Sequence, residues 1–134
     1  MYVLKVRSRE REQFVEITAE VRRRLKESGA LEGLCVLYVQ HTTAGLTVNE
    51  NADPDVQRDM LLALRTLVPQ HGMDFRHNEE NSDAHIKASL FGTSVTIPFS
   101  GRRATAGPLA RHLPLRVRRR ARAASDYDDQ VSVV

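Results

Sequence analysis

Two short stretches of this 134-residue chain concentrate the side chains that can do chemistry. The first, residues 41–51, reads His-Thr-Thr-Ala-Gly-Leu-Thr-Val-Asn-Glu-Asn. It follows a continuous apolar run, so it places a histidine and two hydroxyls where a buried strand ends, and a second strand closes on Asn49, Glu50 and Asn51. If the two strands pair as a hairpin, their outer ends diverge, and His41 and Glu50 need not meet. Plain turn chemistry, with Thr42 and Thr43 bonding the backbone, competes with a polar site here. The second stretch, residues 77–85, packs two histidines and three carboxylates into nine residues, His-Asn-Glu-Glu-Asn-Ser-Asp-Ala-His. Imidazole with carboxylate neighbours suits a borderline divalent ion such as zinc, and the carboxylates can act as ligands, as partners of ligands or as a general base. The spacing is neither His-Glu-x-x-His nor a paired-cysteine motif, and a solvated acidic loop with a helix-capping cluster is the competing reading. His41, His77 and His85 with an open fourth position would make a catalytic-type metal site. His71 and His112 read as ordinary surface histidines. Lys87 follows His85 by two positions, which on a helix turns it elsewhere, toward solvent or a pairing anion. Cys35 lies within an apolar strand and reads as structural.

The elements that must position these residues follow from periodicity. Residues 2–7 and 12–17 alternate apolar and polar side chains, as half-buried strands do. Thr18 is a candidate cap for a helix that carries Val21 and Leu25 on one face, turns Arg22, Arg23 and Arg24 to water, and ends near Gly29. Residues 33–39 form an apolar run suited to a buried central strand, and residues 45–49 read as its partner. Asp53-Pro54 is a strong helix start, a capping carboxylate followed by proline at the first helical position. Val56, Met60, Leu61, Leu64, Leu67 and Val68 then recur with helical spacing until Pro69 and Gly72. Ser82 or Asp83 can cap a short helix through Leu90 that Gly92 stops, and residues 93–98 read as a further strand. The mixed, mostly extended order predicts an α+β fold, an antiparallel-rich β-sandwich-like sheet with helices packed outside.

Composition narrows the classes. The length suits one domain, and 41% hydrophobic with 28% charged residues describes a globular chain. No apolar run is long enough for a membrane span. The first residues carry no apolar signal region and the one cysteine cannot form an internal disulfide, so a cytoplasmic location is expected. The sequence pI of 9.4 invites a nucleic-acid reading, but residues 1–100 carry 12 Lys+Arg against 14 Asp+Glu, and residues 101–134 carry 8 Arg against 3 Asp. The basic surplus sits in the tail, the body has none with which to hold phosphates, and nucleic acid is not an expected partner.

Taken together and in order, residues 41–60 (HTTAGLTVNENADPDVQRDM) and residues 77–98 (HNEENSDAHIKASLFGTSVTIP) resemble the YjbQ family, described as having a secondary thiamine-phosphate synthase activity. The joint occurrence of the two motifs is far more specific than either alone. The resemblance implies a β-sandwich-like fold in a homotrimer with a cleft between subunits. It points to His41, Thr43, Glu50, Asn51, His77, Asn81, His85 and Lys87 as polar positions of that cleft. The roles it suggests are His41, His77 and His85 holding a divalent metal or the anionic ligand itself, Glu50 or Glu80 as base or as partner of a ligating group, and Thr43, Asn51, Asn81 and Lys87 orienting a small anionic or phosphorylated ligand. A non-catalytic trimeric binding or interaction protein is the alternative. The resemblance covers residues 1–100, and the Arg-rich segment 101–134 departs from it. A family-like chain continues with a glycine turn, a segment like LGxWQ and a strand like IYLCEFDG. Read one base later, codons for residues 112–119 are compatible with IYLCEFDG. The tail is therefore expected to be encoded out of frame from near Gly101 and to be irregular; resequencing that finds the frame intact would sink this idea.

Overall fold

The computed structural model describes residues 1–100, 103–104, 110–117 and 129–133. In chain order the elements are β1 (Tyr2–Val6), β2 (Glu12–Phe14), α1 (Thr18–Ser28), β3 (Glu32–Val39), β4 (Ala44–Glu50), α2 (Pro54–Leu67), α3 (Ser82–Phe91), β5 (Ser94–Ser100), β6 (Arg103–Ala104), β7 (Ala110–Val117) and β8 (Asp129–Val133). They form a five-stranded sheet, β1-β8-β3-β5-β6, and a three-stranded sheet, β2-β7-β4. Every pairing is antiparallel. The α+β, sandwich-like architecture expected from the sequence is the one observed.

The two sheets and α1 close on one core. Leu4 and Val6 of β1, Cys35, Leu37 and Val39 of β3, Ala44 and Leu46 of β4, Ile97 and Phe99 of β5, and Val131 of β8 meet Ile17, Val21 and Leu25 there. Alternation along each strand leaves a second face. On the large sheet that outer face carries Val3, Leu34 and Tyr38, all exposed. On β4 it carries Gly45, over which α3 lies. A Cβ at Gly45 would stand 2.8 Å from Phe91 Cβ and 3.2 Å from the carbonyl oxygens of Ala88 and Gly92, so only glycine admits the helix at this distance. A smaller cluster, Leu64 and Ala84 with Phe14, Leu61 and Phe91 against them, joins α2 and α3 to β2.

Helix ends follow the local chemistry in part. Asp53 caps α2, its Oδ1 accepting from the Asp55 N–H at 2.9 Å, with Pro54 first in the helix. Thr18 does not cap α1: the cap position is Ile17, and Thr18 is buried within the first turn. Likewise the cap position of α3 is Asn81, ahead of the expected Ser82 or Asp83 by one or two residues.

Two larger expectations need correcting. β3 and β4 are not a hairpin. β3 pairs with β5 and β8, and β4 pairs with β7, so the turn at residues 40–43 carries the chain from one sheet to the other. The segment past residue 100, expected to be irregular, supplies β6, β7 and β8 among its described residues, with β7 central in the small sheet. Ladder hydrogen bonds use backbone groups that every residue but proline offers, so side-chain composition alone does not bar a segment from a sheet. Pro114 shows where the limit lies. It stands opposite Leu46, whose N–H turns away from β7 to the Gly92 carbonyl at 3.0 Å, which makes this a non-hydrogen-bonded position of the β4–β7 ladder. On the other side β2 has already ended, its last pair being Phe14 with Leu115, so no ladder bond is forfeited by the missing N–H.

Candidate functional site

The segment between α2 and α3 brings His77 back onto His85. Its turn is closed by the Glu80 N–H donating to the His77 carbonyl at 3.1 Å. Glu80 holds a φ of 54°, a left-handed conformation that costs a non-glycine residue about 1 kcal/mol or more. The chain then enters α3, the Asn81 carbonyl accepting from the N–H groups of Ala84 at 2.9 Å and His85 at 3.3 Å. As a result the His77 and His85 rings lie edge to face, with centroids 5.6 Å apart and planes at 75°. Glu79 is beside them, its Oε2 3.9 Å from His77 Nε2 and accepting from Asn81 Nδ2 at 3.3 Å. Asn81 is buried, yet its Oδ1 has no hydrogen-bond partner among the described residues and caps no helical N–H. Next to the ring pair opens a shallow cleft of about 170 Å³ lined by His71, Met73, Phe75, His77, Glu80 and Ser82 among others. His71, read from sequence as an ordinary surface residue, therefore shares a cleft with His77 and Glu80. Nothing in its spacing signals this; the reversal of the chain between α2 and α3 produces it.

Of the two surroundings expected for Lys87, solvent and a pairing anion, the structure shows the second, with the anions inside the protein. Lys87 is 1% exposed, as is Asp83 one helical turn before it. Its ammonium donates to Asp83 Oδ2 at 3.1 Å and to Glu12 of β2. Arg11 grips Asp83 in a fork, 2.8 and 2.9 Å, and Arg65 of α2 donates to the second oxygen of Glu12 at 2.5 Å. Burial pushes both carboxyls up, but the hydrogen bonds and charges of Arg65 and Lys87 at Glu12, and of Arg11 and Lys87 at Asp83, outweigh it and hold both groups below their ordinary values. Lys87 is thus committed to internal carboxylates and is not presented to a ligand. The network ties α3 to β2 and α2, and so sets the roll of the helix that carries His85.

The 41–51 stretch resolves into three local arrangements. His41, just past β3, has its Nδ1 2.8 Å from Thr43 Oγ1 and 3.2 Å from the Thr43 backbone nitrogen. Thr43 is buried and serves the ring. Glu50 is half-buried at the end of β4, its N–H donating to Asn49 Oδ1 at 2.7 Å. Asn51 donates to Glu16 Oε2 at 2.9 Å and accepts from Gln57, so its amide joins neighbouring segments. Among the described residues of one chain, no group of three His, Cys, Asp or Glu side chains is placed to hold a metal ion. His77 and His85 come together, with Glu80 at the same cleft, and His41 is not gathered with them into a ligand set.

A family model described as UPF0047 protein YjbQ-like matches residues 2–119. The chain belongs to the YjbQ/UPF0047 family. Among its relatives, UPF0047 protein MJ1081 of Methanocaldococcus jannaschii is 45% identical over 97 residues, 72% of this chain and 70% of that one. UPF0047 protein YugU of Bacillus subtilis is 45% identical over 92 residues, 68% of this chain and 69% of that one. A crystal structure of a YjbQ/UPF0047 protein from Clostridium acetobutylicum superposes with a TM-score of 0.91 at 36% identity, covering 100% of this chain and 98% of that one. A conserved hypothetical protein from Thermus thermophilus superposes with a TM-score of 0.87 at 35% identity, covering 100% and 98%. The YjbQ match spans both histidine stretches and continues through β7, so the candidate site lies wholly within the shared fold. No helix among the described residues is long and apolar enough to cross a membrane.

Proposed function

We propose that this YjbQ-family chain is a cytoplasmic, trimer-forming protein with a small-molecule site centred on the His77–His85 pair, one that takes an anionic or phosphorylated ligand and has weak thiamine-phosphate synthase-type transferase activity. The observation that carries the reading is the ring pair itself, two imidazoles held 5.6 Å apart beside a cleft that Glu80 also lines. Two imidazoles are part of a zinc set, and the fit within one chain is partial because a third donor is wanting among the described residues. A divalent ion held there would polarise a phosphoryl oxygen. In this reading Glu80 stands at the cleft as the base, Glu50 is the second candidate for that role, and Asn81 offers its unpartnered Oδ1 to a donor.

Assembly is supported by apolar surface that one chain leaves open. His85 is followed on α3 by Ile86, which is exposed and lies one turn before Leu90, 64% exposed. The outer face of the large sheet exposes Leu34 and Tyr38. Such surface suits burial against a second copy, and a site flanked by it would be completed between subunits. The same exposed apolar surface also suits a second reading, a non-catalytic trimeric binding module.

Metal analysis of the purified protein, with sedimentation for its mass, tests both. The transferase reading expects a trimer and bound divalent metal that is lost in His77→Ala and His85→Ala. A trimer without metal, whose ligand binding survives His85→Ala, establishes the binding module, and a monomer removes the shared site.

A further inference from the structure

We infer that Asp83 and Lys87 are positioning residues of the histidine pair: their buried ionic bonds fix the roll of α3 and so hold the His85 ring on His77. The functional weight of this rests on the proposed site, but the coupling itself does not. The apolar side chains of α3 do not choose its observed roll. Ala84 and Ala88 are buried, whereas the larger Ile86 and Leu90 are exposed. At about 100° per residue, Ile86 and Leu90 stand within about 60° of Asp83 around the helix. A roll that carried them inward would bury two large side chains in place of two alanines, and apolar burial alone favours it.

The charged groups oppose that roll. Arg11, just before β2, forks onto Asp83 at 2.8 and 2.9 Å, and Lys87 reaches Glu12 of β2 as well as Asp83. Arg65 of α2 holds the other oxygen of Glu12, so Glu12 cannot follow the helix round. These bonds have set lengths and directions, which apolar contacts lack. Turning Asp83 or Lys87 out of the cluster would leave buried charge unpaired. The close contact at Gly45 holds the C-terminal turn of α3, through Phe91 and the Ala88 and Gly92 carbonyls; His85 stands nearer the other end. At a radius of about 5–6 Å, a roll of about 20° moves a side chain by about 2 Å. The His77 and His85 rings meet edge to face at 5.6 Å. Such contacts operate over about 4.5–7 Å, so that roll is enough to part them.

The test is the ring-proton nuclear Overhauser effect between His77 and His85 in the full chain, the signals assigned by their loss in His77→Gln and His85→Gln. Asp83→Ala/Lys87→Met cuts both ties of α3 and leaves Glu12 with Arg65 and with Arg11, already 3.6 Å away. The expected result is loss of the His77–His85 cross-peaks while the circular dichroism of the folded chain is retained. Leu25→Ala, in the core cluster that α3 does not join, lowers stability alone and should keep the cross-peaks. Cross-peaks that persist in the double variant, or that vanish equally in Leu25→Ala, overturn the inference. Should the double variant not fold, Lys87→Met and Arg11→Met each leave one tie and should each shift the His85 ring signals; signals unmoved in both overturn it. Zinc binding read alongside separates the two ideas: wild type that takes no zinc removes the metal reading and leaves the cross-peaks to decide the coupling.

Discussion

The charge network beneath α3 supports a prediction about rank order. Three cations, Arg11, Arg65 and Lys87, face two carboxylates, Glu12 and Asp83, so the cluster carries a net charge of +1. Lys87→Met removes a cation and keeps most of the buried volume. It leaves Asp83 in the Arg11 fork and Glu12 on Arg65 at 2.5 Å, two carboxylates matched by two guanidiniums. The lost charged hydrogen bonds are offset by no longer burying an ammonium, and the net loss should be about 1–2 kcal/mol. Asp83→Asn has nearly the same shape but leaves three cations around one carboxylate. Breaking a buried pair from one side costs about 3–5 kcal/mol. The lower end applies here, because Arg11 is 26% exposed and can reach water. With a urea slope of about 1.5 kcal/mol/M, Asp83→Asn should lower the unfolding midpoint by roughly 2 M and Lys87→Met by about 0.7–1.3 M. The chain has no tryptophan, so circular dichroism is the probe, at one protein concentration and pH 7 because self-association would shift the midpoint. If Lys87→Met unfolds at lower urea than Asp83→Asn, charge balance does not govern the cluster and the network reading is wrong.

Two more perturbations follow from the same contacts. Gly45→Ala drives a methyl into Phe91 Cβ and two backbone carbonyls, none of which can swing aside, so urea unfolding should show a loss of about 1–3 kcal/mol; an unchanged midpoint would mean that α3 does not sit on β4 as described. Glu12 and Asp83 have native pKa values below their ordinary 4.5 and 3.8. A depressed carboxyl contributes stability that is present above its unfolded pKa and disappears as pH falls through the native one. Stability should therefore hold from neutrality to about pH 4.5 and fall below it, and the Glu12→Gln/Asp83→Asn double variant should show a shallower fall over that acid range.

How much of this was legible in the residues divides along the range of the forces involved. The Asp53-Pro54 start of α2, the Gly29 and Gly92 stops, the strands at residues 2–6, 33–39 and 94–98, and the α+β class are local matters, set by capping groups, φ preferences and apolar period. The two histidine stretches were also visible, and together they were specific enough to mark the family. Other features depended on which strands meet. The apolar run of residues 33–39 followed by the strand pattern of 45–49 suits a hairpin or two strands in different sheets, and the choice belongs to β5, β7 and β8, which pair with them. An Arg-rich tail entered both sheets because ladders are made of backbone. Lys87 looks like a surface lysine until Glu12, 75 residues away in sequence, is found against it. The chain itself announced that His41, His77 and His85 could do chemistry. Only the tertiary structure laid the His85 ring against His77, set His77 and His71 in one cleft, and turned a donor toward His41 Nδ1, since a side chain's chemical role depends on which hydrogen-bonding groups the fold aims at it.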